Sequence, residues 1–79
     1  MIALTVYSRP QCHLCERMVE DLAPLVEGVA SVEIVDISAD AKLEHDYGPY
    51  VPVLKAGDFE LSRFRLDRER VVGFLADRS

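Results

Sequence analysis

Cys12 and Cys15 are the only two cysteines of the chain, and they stand three positions apart in the run Ser8-Arg9-Pro10-Gln11-Cys12-His13-Leu14-Cys15. Two thiols at that spacing can cycle between dithiol and disulfide, or they can supply half of a tetrahedral zinc site. A closed zinc site takes four ligands, and among histidines only His13 and His45 remain to complete it. His13 lies between the thiols and His45 falls in another predicted element, so metal binding is the weaker reading. Haem attachment needs a histidine directly after the second cysteine, where this chain has Glu16. A purely structural disulfide closing so short a loop would remove little entropy from the unfolded chain. Redox chemistry therefore leads.

The elements around the pair sharpen that reading. Ile2-Ala3-Leu4-Thr5-Val6-Tyr7 is rich in β-branched and aromatic residues and short enough to be a buried strand. After Cys12 the period becomes helical: Leu14, Met18 and Leu22 recur every fourth residue, with Cys15, Val19 and Val26 on an adjoining stripe. The first turn of a helix leaves backbone N–H groups unpartnered, and the peptide dipoles add partial positive charge there. A cysteine at such a site can fall from a free pKa near ~8.5 to roughly 3.5–7.5. His13, when protonated, and Arg9 could add positive charge. Cys12, on the loop side, is the predicted nucleophile. Cys15, on the buried stripe, is the predicted resolving thiol.

At 79 residues the chain is read as a single domain over 1–79. A hydrophobic content of 49% supports a compact core, and 29% charged residues suits a soluble surface. The first apolar run lacks a basic leader and is too short to span a bilayer, so the expectation is a cytoplasmic protein with no membrane partner. Nine basic against fourteen acidic side chains give a net charge of −5, which argues against nucleic-acid binding. Arg63, Arg65, Arg68, Arg70 and Arg78 cluster near the C-terminus. Interleaved with Glu60, Asp67, Glu69 and Asp77, they read as a mixed solvated face before a patch for an anionic partner.

The remaining elements follow from local signals. Pro24 predicts a kink or break near Ala23, and Gly28 suits a left-handed residue past the helix end. Ser31–Ile37 alternates like a strand. Asp40 is a plausible N-cap for a short helix that ends at Gly48-Pro49, with His45 solvated on it. Tyr50–Lys55 and Phe59–Phe64, joined across Ala56-Gly57-Asp58, predict an antiparallel hairpin. Asp67 as N-cap and a Leu66–Val71 staple open a last helix that Gly73 weakens locally. The order is β-α-β-α-β-β-α.

The run Tyr7 to Cys15, the pair Tyr47-Gly48 and the stretch Val51-Pro52-Val53-Leu54 together resemble the glutaredoxin-like branch of the thioredoxin superfamily, especially small bacterial glutaredoxin-like proteins. The resemblance implies an α/β thioredoxin-like fold, with a four-stranded mixed sheet flanked by helices. It also implies a cis peptide before Pro52, with Val51 and Pro52 presenting backbone to a substrate. The chain departs from the family where glutaredoxins carry a Gly-Gly pair after strand four. Here the matching region is Arg63-Phe64-Arg65-Leu66-Asp67, in which Arg63 or Arg65 could meet glutathione carboxylates in another way.

The expected protein is thus a monomeric thiol-disulfide oxidoreductase. Cys12 attacks a protein or glutathione disulfide, Cys15 resolves it, and a separate reductant recycles the pair. It needs no bound cofactor or metal, with glutathione as a possible co-substrate. The rival is a non-catalytic thioredoxin-fold interaction module that binds partners through the Val51-Pro52 edge, followed by a cysteine-based metal binder.

Overall fold

The computed structural model describes residues 1–78. Its elements run β1 (Ile2–Ser8), α1 (His13–Val26), β2 (Ala30–Asp36), α2 (Ala41–Tyr47), β3 (Val53–Ala56), β4 (Phe59–Arg63) and α3 (Arg68–Arg78). Short 3₁₀ turns cover Ile37–Ala39 and Gly48–Tyr50. The four strands form one sheet in the order β2-β1-β3-β4. β1 and β2 are parallel, while β3 runs antiparallel to both β1 and β4.

Alternation along β1 decides the layers. Leu4 and Val6 point to one face and join Met18, Leu22 and Val26 of α1, Leu54 and Leu61 of the hairpin, and Val71 and Leu75 of α3 in a single core. Tyr7 points to the other face, where its ring stacks on Tyr47 of α2 at 4.1 Å. Lys55 Nζ donates to the Tyr47 hydroxyl at 3.1 Å, which ties α2 to β3 as well. Burial, and then the adjacent Tyr47, hold the Tyr7 phenol above its ordinary pKa.

Strand register collects the chemistry at one end. Ser8, the last residue of β1, leads into the cysteine loop, and its neighbour Tyr7 pairs with Val53, the first residue of β3. Val53 pairs in turn with Arg63, the last residue of β4. The cysteine loop, the segment before Val53 and the segment after Arg63 therefore converge at the same end of the sheet. Gly28 and the Gly57-Asp58 turn lie at the opposite end.

Several expectations need correction. α1 passes through Pro24 without a break. Glu20 and Pro24 both lie on the exposed side, where water can serve the carbonyl that proline cannot, while buried Leu22 and Val26 hold the last turns to the core. Leu14 is not in the core stripe. It is 44% exposed, because the buried face of α1 runs through Cys15, Met18, Leu22 and Val26. β2 ends at Asp36, whose side chain accepts from the Ser38 N–H at 2.9 Å and caps the following turn. β3 starts only at Val53, since Gly48–Tyr50 coils and Pro52 has no N–H to give the ladder. β4 ends before Phe64. As expected, Gly73 lies inside the last helix, α3. Asp40 caps α2 by accepting from the Lys42 and Leu43 N–H groups, and Asp67 accepts from the Arg70 N–H at 3.1 Å as the cap of α3.

Candidate active site

The cysteines form a disulfide with a Cα–Cα distance of 5.2 Å. Cys12 is the N-cap of α1. Its extended backbone (φ −115°, ψ 106°) turns the chain into the helix, and its Sγ accepts the Cys15 N–H at 3.2 Å. The Cys12 carbonyl accepts the Glu16 N–H at 3.1 Å, closing the first helical turn. A sulfur thus occupies the capping place usually held by a serine or aspartate oxygen. Cys12 is half-buried and Cys15 is only 4% exposed, so Cys12 is the more accessible of the two residues. A thiolate at Cys12 would receive the same N–H as a charge-assisted bond, beside the positive end of the helix.

His13 and Arg9 take different places. His13 is the first residue of α1 and its side chain is fully exposed at 101%, with Nδ1 4.0 Å from Glu16 Oε2. Arg9 turns toward α2: its guanidinium donates to Glu44 Oε1 at 2.7 Å and to the Gly48 carbonyl at 2.9 Å. The cysteine loop is thereby clamped to the turn that leads into Val51 and Pro52. A β-carbon on Gly48 would lie 2.8 Å from Glu44 Oε1 and 3.4 Å from the Arg9 guanidinium, so the absence of a side chain is what admits the clamp.

The Val51–Pro52 peptide is cis. The Pro52 carbonyl accepts the Phe64 N–H at 2.9 Å, which fastens this segment to the one after β4. Phe64 has φ 68°, a left-handed conformation uncommon for a bulky residue. The Arg65 N–H closes back on the Arg63 carbonyl at 2.8 Å, making a tight three-residue turn centred on Phe64. Where the family pattern has glycines, this chain keeps a glycine-like backbone and adds a phenyl ring. Gln11, directly before Cys12, also has positive φ at 58°.

Sequence reasoning named Cys12, Cys15, His13, Arg9, Val51 and Pro52. The fold brings the cysteine loop and the Val51-Pro52 segment to one end of the sheet, and it directs the polar contacts of Arg9 to Glu44 and Gly48. It adds three residues not singled out for the site: Leu14, Tyr50 and Phe64. The Tyr50 and Phe64 rings meet edge to face at 6.4 Å, and the Arg63 guanidinium lies 4.5 Å from the Tyr50 centroid. The one signal available beforehand was the position of an aromatic residue between two arginines where a glycine pair is usual. Among the described residues, no three or more His, Cys, Asp or Glu side chains converge as a metal site. No helix of the described residues is long and apolar enough to cross a membrane.

A mixed sheet with helices on both faces, opening its first helix on a Cys-X-X-Cys disulfide, defines a member of the thioredoxin superfamily. Comparison narrows the class. The family model of the glutaredoxin-like domain (DUF836) matches residues 3–76, and the chain belongs to that family. A solved structure from X. campestris, described as the Northeast Structural Genomics target protein XcR50, is 36% identical with a TM-score of 0.76. That alignment covers 94% of this chain and 96% of the other. No curated protein matches the chain.

Proposed function

We propose that the protein is a thiol-disulfide oxidoreductase with Cys12 as nucleophile and Cys15 as resolving thiol. The observation that carries this reading is the Cys15 N–H directed at the half-buried Cys12 sulfur at the helix N-terminus, with Cys15 itself buried behind it. In the reduced protein the Cys12 thiolate attacks one sulfur of a substrate disulfide. A mixed disulfide forms and the other substrate sulfur leaves as a thiolate. Cys15, deprotonated in turn, attacks Cys12 Sγ and releases the second substrate thiolate. Two electrons pass to the substrate, and a dithiol or thiol reductant restores the pair. His13 contributes positive charge when protonated. Arg9 acts by fixing the loop, and Val51 and Pro52 offer backbone to an extended substrate. A reducing compartment such as the cytoplasm suits this direction of flow.

The test is the redox equilibrium of the pair in graded glutathione buffers, read by alkylation and mass. The expected result is a reversible two-electron transition in which Cys12 alkylates faster than Cys15 and at a pH below the free-thiol range near ~8.5. Ordinary, equal thiol reactivities with no reversible disulfide would overturn the reading and leave the interaction module standing.

A further inference from the structure

Three large apolar side chains at the disulfide end of the sheet are left open to solvent: Leu14 is 44% exposed, Tyr50 38% and Phe64 44%. Leu14 lies between the two cysteines in the chain, and Phe64 hangs from the Pro52 carbonyl through its N–H. Leu14, Met18, Phe64 and Leu66 line a groove of about 350 Å³ between α1 and the turn after β4, together with Arg17, Arg65 and Asp21. That volume lies at the lower end of the range of ligand clefts, roughly 300–1,000 Å³.

The backbone of Phe64 says why the ring matters. A glycine would make the same left-handed turn without steric cost, and phenylalanine there adds nothing to the core. What the residue supplies is an exposed ring that shares a groove with Leu14 at the disulfide end of the sheet, and left-handed non-glycine residues of this kind collect at functional sites.

Charge selects the occupant. Arg17 is engaged by both carboxylate oxygens of Asp21, at 3.2 and 3.3 Å. Among the described residues no hydrogen bond or ion pair occupies the Arg65 side chain, so the groove keeps one uncompensated positive charge. The opposite flank of the disulfide carries Glu16 and Glu20, and its one cation, Arg9, is paired with Glu44. The N-terminus of α3, where a free carboxylate could dock, already holds the Asp67 side chain, and the Asp67 N–H is given to Ser62 Oγ at 2.9 Å. A small polar tripeptide such as glutathione would leave the apolar lip uncovered.

We infer, building on the oxidoreductase reading, that the substrates are protein disulfides. They dock through an extended segment whose large apolar side chain enters the groove between Leu14 and Phe64 and whose acidic neighbour meets Arg65.

The experiment uses the reduced full chain and four probes: hydroxyethyl disulfide, glutathione disulfide, and two disulfide-linked heptapeptides of equal charge. In one peptide the cysteine is flanked by Leu and Asp, in the other by Ser and Asp. The Leu peptide is expected to react about tenfold faster than the Ser peptide, the scale on which an apolar pocket separates side chains. It should also outpace glutathione disulfide. Phe64→Gly, which keeps the turn and deletes the ring, should bring the two peptide rates to within about threefold of each other, and Arg65→Gln should slow both peptides. Equal peptide rates in the wild type, a ratio unmoved by Phe64→Gly, or glutathione disulfide as the fastest probe would overturn the inference. Inertness toward all four probes would instead sink the oxidoreductase reading beneath it, and the inference with it.

Discussion

The two ends of the sheet solve the same backbone problem with different residues. Each has two described residues in the left-handed region: Gly28 and Gly57 at the far end, Gln11 and Phe64 at the disulfide end. Glycine accepts that conformation freely, whereas a residue with a β-carbon pays about 1–2 kcal/mol. The far end uses the inexpensive solution, and a β-carbon on Gly28 or Gly57 would meet only open space. At the disulfide end the chain accepts strain and keeps two side chains there, Gln11 lining a pocket with the cysteines and Phe64 a groove with Leu14. Local stability and local chemistry have been separated along the length of the strands.

The largest effect that tests this separation is on exchange itself. Cys12→Ser is expected to reduce turnover with any disulfide by at least about a thousandfold, the usual scale for loss of a nucleophile, while Gly57→Ala leaves the rate unchanged. A far-end variant that slowed exchange as much would break the division. Next is stability by chemical denaturation. Gly28→Ala should cost about 1–2 kcal/mol, whereas Gln11→Gly should be neutral or up to about 1 kcal/mol stabilising. Equal losses at the two positions would show that the left-handed residues are no different in kind.

The clamp between the cysteine loop and α2 gives a smaller signal. Gly48 is in the right-handed region (φ −47°), so Gly48→Ala strains no backbone and acts by displacing the Glu44 carboxylate from Arg9. With both side chains about two-fifths exposed, the loss should be about 0.5–1 kcal/mol. It should not add to that of Arg9→Ala, because both remove one interaction. Additive losses would show that the two residues act separately. The smallest effect is in the pH dependence. Arg63, by its hydrogen bonds and then its charge, holds the Glu60 carboxyl below the ordinary 4.5. A carboxyl lowered in the folded state stabilises at pH above the unfolded value and loses that contribution as pH falls through the folded one. Acid titration of Glu60→Gln should therefore lack a shallow fall in stability below pH 4.5 that the wild type shows. Its size should be about 0.5 kcal/mol or less for so exposed a pair, and high salt should flatten it.

Much of this architecture was legible because its signals are local. Leu4 and Val6 alternate with Thr5 and Tyr7, Asp40 and Asp67 stand where helices need caps, and Gly57-Asp58 joins two short strands. The cysteine spacing pointed to the Cys12–Cys15 disulfide before any fold was known. What escaped depends on contacts between distant segments. Leu14 fits a helical stripe as well as Met18 does, and only the angle at which α1 lies on the sheet turns it outward. Pro24 reads as a breaker until Leu22 and Val26 are seen to anchor the turns on either side. Phe64 completes an alternating strand on paper, but the Arg65 N–H closes back on the Arg63 carbonyl and turns the chain there. Arg9 stands three residues before Cys12, and nothing local announces that its hydrogen bonds go to Glu44 and Gly48, 35 and 39 residues away.

In the proposed reaction the sulfur that caps α1 also couples electron transfer to folding. A thiolate at Cys12 holds the Cys15 N–H with a full negative charge, and a disulfide sulfur holds it with none, so the helix is better capped in the reduced protein. Reduction and unfolding then make a closed thermodynamic cycle. Whatever stability the cap adds on reduction must reappear as a greater electron affinity of this disulfide than of the same two cysteines in an unfolded chain. On that proposal the first turn of α1 is part of the redox couple, and the change in unfolding free energy on reduction reads the net of the better cap and the lost cross-link.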